Sequence, residues 1–332
     1  MEMRPFGRTG ITVSVLGFGC GAVGGLMVRG TPADQERTVA RALAAGVNYF
    51  DTAPQYGDGQ SETNIGRILA KLRPTGITLG TKVRLRDADK ATIGAAIAAS
   101  LEASLRRMGR AEVDLLQLHN PITLADAPGA VTADSVLDQV VPAFERLRTQ
   151  GKIRFFGITA IGDTAALHRV IDSGRLHSGQ VSYNLLNPSA GGALPANYPA
   201  QDYGRLLDRL AAAGMGSIGI RALAGGALSG EATRHPIASP PPEPIGSAGS
   251  YDADLARARR LLPLVQEGYA ASLAEAAVRF VISHKAMGTA LVGIATPEQF
   301  DQALDAVAKG PLPQAALARA AEVQAGFAGE AR

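Results

Sequence analysis

The chain has one cysteine, Cys20, among 332 residues, which excludes an intramolecular disulfide and fits a reducing compartment. It also has little excess charge: 33 Lys and Arg against 30 Asp and Glu leave a net +3. There is no basic run and no interleaving of aromatic with basic residues, so a nucleic-acid partner is not expected. The opening Met1-Glu2-Met3-Arg4-Pro5-Phe6-Gly7-Arg8 lacks an apolar signal core, and no later stretch is an unbroken membrane span. The expectation is a soluble cytoplasmic protein without a membrane partner. The histidines at 119, 168, 177, 235 and 284 make no metal-ligand spacing with one another or with Cys20, so no metal site is expected.

What is present points to one large α/β unit. The hydrophobic fraction of 46% suits a buried parallel sheet, and 39 glycines suit many tight strand-to-helix turns. The length fits a single domain, 1–332, built as a (β/α)8 TIM barrel with loops added. Residues 3–14 read as a β-hairpin around Gly7-Arg8-Thr9-Gly10. Barrel strands are expected at 15–17, 47–50, 77–83, 113–118, 153–158, 179–182, 216–220 and 289–292. Helices are expected near 31–45, from 61, and at 90–108, 133–149, 163–173, 201–213, 252–267, 272–283 and 297–308, with a last one beyond Pro313. Such alternation requires parallel pairing with right-handed crossovers.

Gly19-x-Gly21-x-x-Gly24 matches the dinucleotide fingerprint of doubly wound sheets, which needs a helix to open inside the glycine run. Here the run continues to Gly30, and helix signals begin only at Thr31-Pro32, so the closed barrel is preferred. Two extended segments, 184–200 and 224–250, fall after barrel strands on the catalytic rim. They read either as mobile loops without a role or as loops that clasp a cofactor or cover a substrate.

Ionisable residues recur at strand ends, where a parallel barrel places its chemistry. Asp51 ends the run 47–50, with Tyr56 in the Pro/Gly-bounded loop that follows. Lys82 closes 77–83, and His119 closes 113–118. Singly, Asp51 and Tyr56 are ordinary turn residues and His119 an ordinary structural histidine. A lysine in a buried strand, however, is costly without a partner, and four such groups on successive strands are hard to explain as structure alone.

The motif Asp51-Thr52-Ala53-Pro54-Gln55-Tyr56-Gly57, with Thr81-Lys82 and Leu118-His119, resembles the Asp, Tyr, Lys and His tetrad of the aldo-keto reductases, and the similarity extends over nearly the whole chain. The resemblance implies a hairpin plugging the barrel bottom, a nicotinamide cofactor (NAD or NADP) and a small carbonyl or sugar substrate. Tyr56 would be the general acid or base. A free phenol titrates near pH 10, and a Lys82 ammonium is expected to lower that value; two units correspond to roughly 2.7 kcal/mol. Asp51 would hold Lys82 charged, and His119 would orient the carbonyl oxygen and share its developing charge.

For the cofactor, the resemblance implies contacts from Gly19, Cys20, Gly21 and Asp51, from Gln180 to the nicotinamide carboxamide, and from a pyrophosphate loop comprising Ile220, Arg221, Leu223 and Gly225. Thr159-Ala160 replaces the family's usual Ser-Asn pair, and Ile220 replaces a stacking aromatic. The stretch 291–299, with Gly293, Thr296 and Gln299, would meet the adenosine end. Gly293, Ala295 and Gln299 stand where many NADPH-using members carry Lys or Arg, so NAD is the expected preference, unless Arg234 or Arg257 supplies the charge. Within the family the chain is most similar to sugar-oxidising members such as L-galactose dehydrogenase and the aldose 1-dehydrogenases, which implies NAD-linked oxidation of an aldose to its lactone. The alternatives are NADPH-dependent reduction of small aldehydes and ketones, or a cofactor-binding regulatory subunit with slow turnover. A homo-oligomer is possible, although no interface seam is evident in the sequence.

Overall fold

Alternating apolar segments and glycine turns give the expected closed barrel. In the computed structural model, which describes residues 1–331, the strands are β1 (Met3–Pro5), β2 (Thr12–Ser14), β3 (Leu16–Gly19), β4 (Tyr49–Asp51), β5 (Thr78–Val83), β6 (Val113–Leu118), β7 (Ile122–Thr123), β8 (Val131–Thr132), β9 (Ile153–Ala160), β10 (Ser178–Ser182), β11 (Gly216–Ile220) and β12 (Thr289–Val292). Eight of them, β3-β4-β5-β6-β9-β10-β11-β12, close into a barrel in which every pairing is parallel.

β1 and β2 pair antiparallel and cap the barrel bottom. Phe6 from this hairpin is fully buried with Val13, Tyr49, Leu115, Ile218 and Leu291, burial that stabilises by about 2 kcal/mol for the ring alone. Gly216 makes room for it: a Cβ there would lie 2.5 Å from the Phe6 ring. Side chains on the other face of the strands meet the helices, as Phe18 does with Phe50 and Phe300 at centroid distances of 5.6 and 5.2 Å.

The structure corrects several expectations. A one-turn helix, Leu26–Arg29, follows the glycine run directly. Four residues between Gly25 and Gly30 carry too little periodicity to announce it, and Gly25 starts it with φ +92°. It still does not make a phosphate-binding N-terminus, because Leu26 N donates to Ile294 O at 3.2 Å and Gly24 is packed so that a Cβ would fall 2.3 Å from the Ile294 backbone. The helix expected from 201 begins only at Leu206, since Gly204 and Arg205, at φ 58° and 56°, lie in the left-handed region and break the helical path. The helix expected over 252–267 is two, Tyr251–Arg259 and Pro263–Gln266, divided at Pro263. The 133–149 helix widens over Val136–Val140, just before Pro142, which offers no N–H to the preceding turn. The connection before residue 133 contains β7 and β8, paired in parallel.

Candidate active site

Strand alternation sets the site. In β4, Tyr49 and Asp51 face the barrel interior while Phe50 faces the helices, and β5 and β6 bring Lys82 and His119 to the same end. Asp51 and Lys82 are both buried. Lys82 Nζ donates to Asp51 Oδ1 in a short ion pair and to Thr52 O at 2.9 Å. The other carboxylate oxygen, Oδ2, accepts from Gln180 Nε2 at 2.6 Å and from the Tyr49 hydroxyl at 3.3 Å. The Lys82 ammonium lies 5.0 Å from the centroid of the half-buried Tyr56 ring, and that ring meets His119 edge to face at 6.0 Å. The four tetrad positions are thus brought together.

The electrostatics are those of a buried, paired cluster. Burial pulls the Lys82 pKa down, but Asp51 and Tyr56 outweigh it and raise the value, keeping an ammonium. Burial also pushes the Asp51 carboxyl above the usual range, opposed by Lys82 and by the hydrogen bonds from Tyr49 and Gln180. The expected net lowering of Tyr56 is not met. Burial pushes the phenol up; Lys82 pulls it down, and Asp51 offsets part of that pull. Lys82 therefore limits a rise that burial alone would make larger.

His119 is neutral: burial, with the Lys82 and Arg84 charges, pulls its pKa to about 3. It can orient an oxygen as an uncharged hydrogen-bonding group and not as a cation. Its Nδ1 lies 3.2 Å from Gln55 Oε1. An unfolded histidine titrates near pH 6.5, so on acidification the unfolded chain takes up this proton first, and the His119 contribution to stability is lost as pH falls from about 6.5 toward about 3. The imidazole C–H signal of His119 in a proton NMR titration is expected to stay flat between about pH 5 and about pH 8, where an ordinary histidine would move. A midpoint near 6.5 would contradict it.

Support for this cluster comes partly from residues that sequence reasoning passed over. Glu62 is wholly buried with a partner at each oxygen: Oε1 accepts from Thr81 Oγ1 at 2.6 Å, and Oε2 pairs with Arg107 at 2.6 Å. It ties the helix Gln60–Leu72, just after the Tyr56 loop, to the strand bearing Lys82. Its only sequence signal was an acid in a helix's first turn. Cys20, expected as a cofactor contact, also braces the cluster. Its side chain is buried, its N–H donates to Asp51 O at 2.9 Å, and its carbonyl accepts from Ser61 Oγ at 2.9 Å.

The residues expected to hold a nicotinamide cofactor ring this centre. Because Gln180 Nε2 must face the Asp51 carboxylate, which can only accept, its Oε1 faces Thr159, whose Oγ1 lies 3.4 Å away; that oxygen is the one able to accept from a carboxamide. At Gly21 a Cβ would meet nothing within 4 Å, whereas one at Gly19 would lie 3.1 Å from Val292 O. Ile220 ends β11, and Arg221 follows in the left-handed region at φ 59°, its carbonyl held by Asn184 Nδ2 at 2.9 Å. Among the described residues, nothing accepts a hydrogen bond from the Arg221 guanidinium, and burial lowers its pKa. A half-buried cation that feels the Asp254 charge but has no hydrogen-bond acceptor among the described residues fits an anionic ligand group.

Leu223 O accepts from Gly226 N at 2.8 Å, and Gly225 is buried under Pro242. Thr296 caps the helix Pro297–Ala308 through Gln299 N, while Gln299 Oε1 accepts from Ala295 N at 2.7 Å. Gly293 packs beside Gly24. Both arginines that could replace a missing 2'-phosphate clamp are already hydrogen-bonded within the chain. Arg234 is bonded to Gly225 O and Ser239 O, and Arg257 to Glu330, Pro199 O and Ala331 O.

The two rim segments are pinned in place. In the first, Asn187 Nδ2 reaches Gln201 O and Gly246 O. The second crosses to the loop after β3, where Ser239 N donates to Val23 O at 3.0 Å. Among the described residues no group of three His, Cys, Asp or Glu could hold a metal ion, and no helix is long and apolar enough to cross a membrane.

Comparison with known proteins agrees with this geometry. The Aldo/keto reductase family model matches residues 15–325. A pyridoxal 4-dehydrogenase from Microbacterium luteolum is 29% identical, with 91% of each chain covered. An L-galactose dehydrogenase from Arabidopsis thaliana is 31% identical over 48% of this chain, which spans about half, 49%, of that relative. Among solved structures, an aldo-keto reductase from Bacillus halodurans in its holo form superposes with a TM-score of 0.69 at 26% identity, covering 97% of this chain and 96% of its own.

Proposed function

The chain belongs to the aldo/keto reductase family and is a nicotinamide-dependent oxidoreductase; from that premise we propose that it oxidises an aldose of the L-galactose type to its lactone with NAD, Tyr56 moving the proton. The observation that carries the reading is the buried Asp51–Lys82 pair set beside Tyr56. A bound nicotinamide supplies the hydride-accepting chemistry that no side chain has. Gln180 Oε1 and Thr159 would hold its carboxamide, and the unpaired Arg221 guanidinium its pyrophosphate. Tyr56 takes the proton of the sugar's anomeric hydroxyl as a base. Lys82 stabilises the phenolate that this role requires, Asp51 fixes Lys82, and neutral His119 orients the substrate oxygen.

The preference for NAD rests on charge. Residues 293–299 contribute no cation and one carboxylate, Glu298, and both Arg234 and Arg257 are committed elsewhere. A carboxylate suits a ribose hydroxyl and repels a phosphate dianion. The dehydrogenase direction draws support from the names of the two relatives, each a dehydrogenase.

Initial rates of reduced-cofactor formation with NAD and with NADP across L- and D-aldoses test the reading. NAD-linked oxidation of an aldose is expected. Failure with both cofactors, while NADPH reduces small aldehydes, would replace it by a general carbonyl reductase. Gln299→Arg tests the charge argument separately. One added charge-assisted bond should raise kcat/KM for NADP relative to NAD by about tenfold or more, and an unchanged ratio would place the discrimination elsewhere.

A further inference from the structure

We infer that Tyr49 is a positioning residue of the proton-transfer unit, its hydroxyl fixing Asp51 from inside the barrel so that Asp51 can hold Lys82 against Tyr56. The inference rests on the reading of Tyr56 as the group that moves the proton.

Tyr49 is fully buried, and its hydroxyl lies 3.3 Å from Asp51 Oδ2, the oxygen that Lys82 does not use. The phenol is seated on three sides. Phe6 packs below its ring at 6.0 Å, a Cβ on Gly17 would lie 3.0 Å from the ring, and one on Gly80 would lie 3.1 Å from the hydroxyl oxygen. Two glycines on the flanking strands thus leave room for this ring and aim its oxygen at the carboxylate. Burial and the Asp51 charge push the Tyr49 phenol well above its ordinary value, so it stays protonated and donates at every working pH.

A carboxylate deprived of a donor becomes more basic. It then draws the shared proton away from Lys82, weakens the ammonium's hold on the Tyr56 phenolate, and moves Tyr56 ionisation to higher pH. The groups facing Asp51 and Tyr56 from the surrounding elements are Cys20 after β3, Lys82 on β5, His119 after β6, Gln180 on β10 and Arg221 after β11. Tyr49→Phe leaves all of them in place and removes one oxygen.

The test compares the wild type with Tyr49→Phe and with Phe6→Leu, which alters the packing under the ring and leaves the hydroxyl. Two readouts are taken: the pH profile of kcat in the oxidative direction, and the ζ-carbon NMR shift of labelled Tyr56 in cofactor-free protein, assigned by its loss in Tyr56→Phe. For Tyr49→Phe the expected result is a fall in kcat of about tenfold near neutral pH, the size of one hydrogen bond to a charged group. The rising limb should move up by about one pH unit, KM for the sugar should hold, and the Tyr56 shift should be displaced. Phe6→Leu should lower thermal stability and move neither readout. The inference is overturned if Tyr49→Phe leaves the profile and the Tyr56 shift where the wild type has them, or if Phe6→Leu moves them equally. If the wild type turns over no aldose, the proposed reaction fails, and the Tyr56 shift still decides the role of Tyr49.

Discussion

Replacing Tyr56 by phenylalanine should lower kcat by about 10²–10⁴-fold, the range that a positioned acid or base contributes, while nucleotide affinity stays within a few-fold. Among the described residues, the Tyr56 phenol is the proton-carrying group beside the Lys82 ammonium on the open side of the site; His119 is neutral, and Asp51 is buried beneath both. The ring itself would remain, edge to face with His119, so the variant should fold and melt like the wild type. Single-turnover kinetics beside a nucleotide titration separate the two effects. Loss of binding together with turnover would mean that Tyr56 shapes the pocket and does not move the proton.

Lys82→Met should act on both stability and chemistry. The side chain is as buried as any in the core, and its ammonium answers Asp51 directly. Removing one partner of a buried pair leaves the other uncompensated, at a cost of about 3 kcal/mol. Tyr49 and Gln180 remain to donate to Asp51, and its protonation relieves part of that cost. The chemical effect has a definite sign. Burial already pushes the Tyr56 phenol up, and Lys82 is the strongest influence pulling it down. Without Lys82 the phenol should ionise at still higher pH, and the pH optimum of oxidation should move in the alkaline direction as kcat falls about 10²-fold or more. A profile that kept its midpoint would show that Lys82 does not govern Tyr56.

Much of this architecture can be read from residue order, for physical reasons that also mark where the reading stops. Apolar runs bounded by turn residues gave β6, β11 and β12 their limits, and the polar residue ending each of three early runs marked the catalytic rim, because a buried strand carries an ionisable group only at cost. Alternation, however, names a face and never a partner. Tyr49 looked like one more aromatic in an apolar strand, and Glu62 like a helix-capping acid; each reveals its task only when a second strand or helix is laid beside it. The same holds for Cys20, whose backbone bonds to Asp51 and Ser61 are not signalled by its place in a glycine-rich rim loop. The turn Leu26–Arg29 escaped because it is held by Ile294 from the far end of the chain and by its flanking glycines, not by its own periodicity. The net acidity of Tyr56 was misjudged for a related reason: the nearby ammonium is evident from sequence, while the burial that opposes it is not.

The proposed reaction is hydride removal from the anomeric carbon of an aldose with Tyr56 as base. It is tested most directly by incubating the protein with NAD and L-galactose deuterated at C1, and following both products by NMR. The expected products are a lactone together with reduced cofactor carrying the deuterium at the nicotinamide C4, and neither from Tyr56→Phe. Reduced cofactor without deuterium, or no lactone from wild-type protein that reduces aldehydes with NADPH, would contradict it.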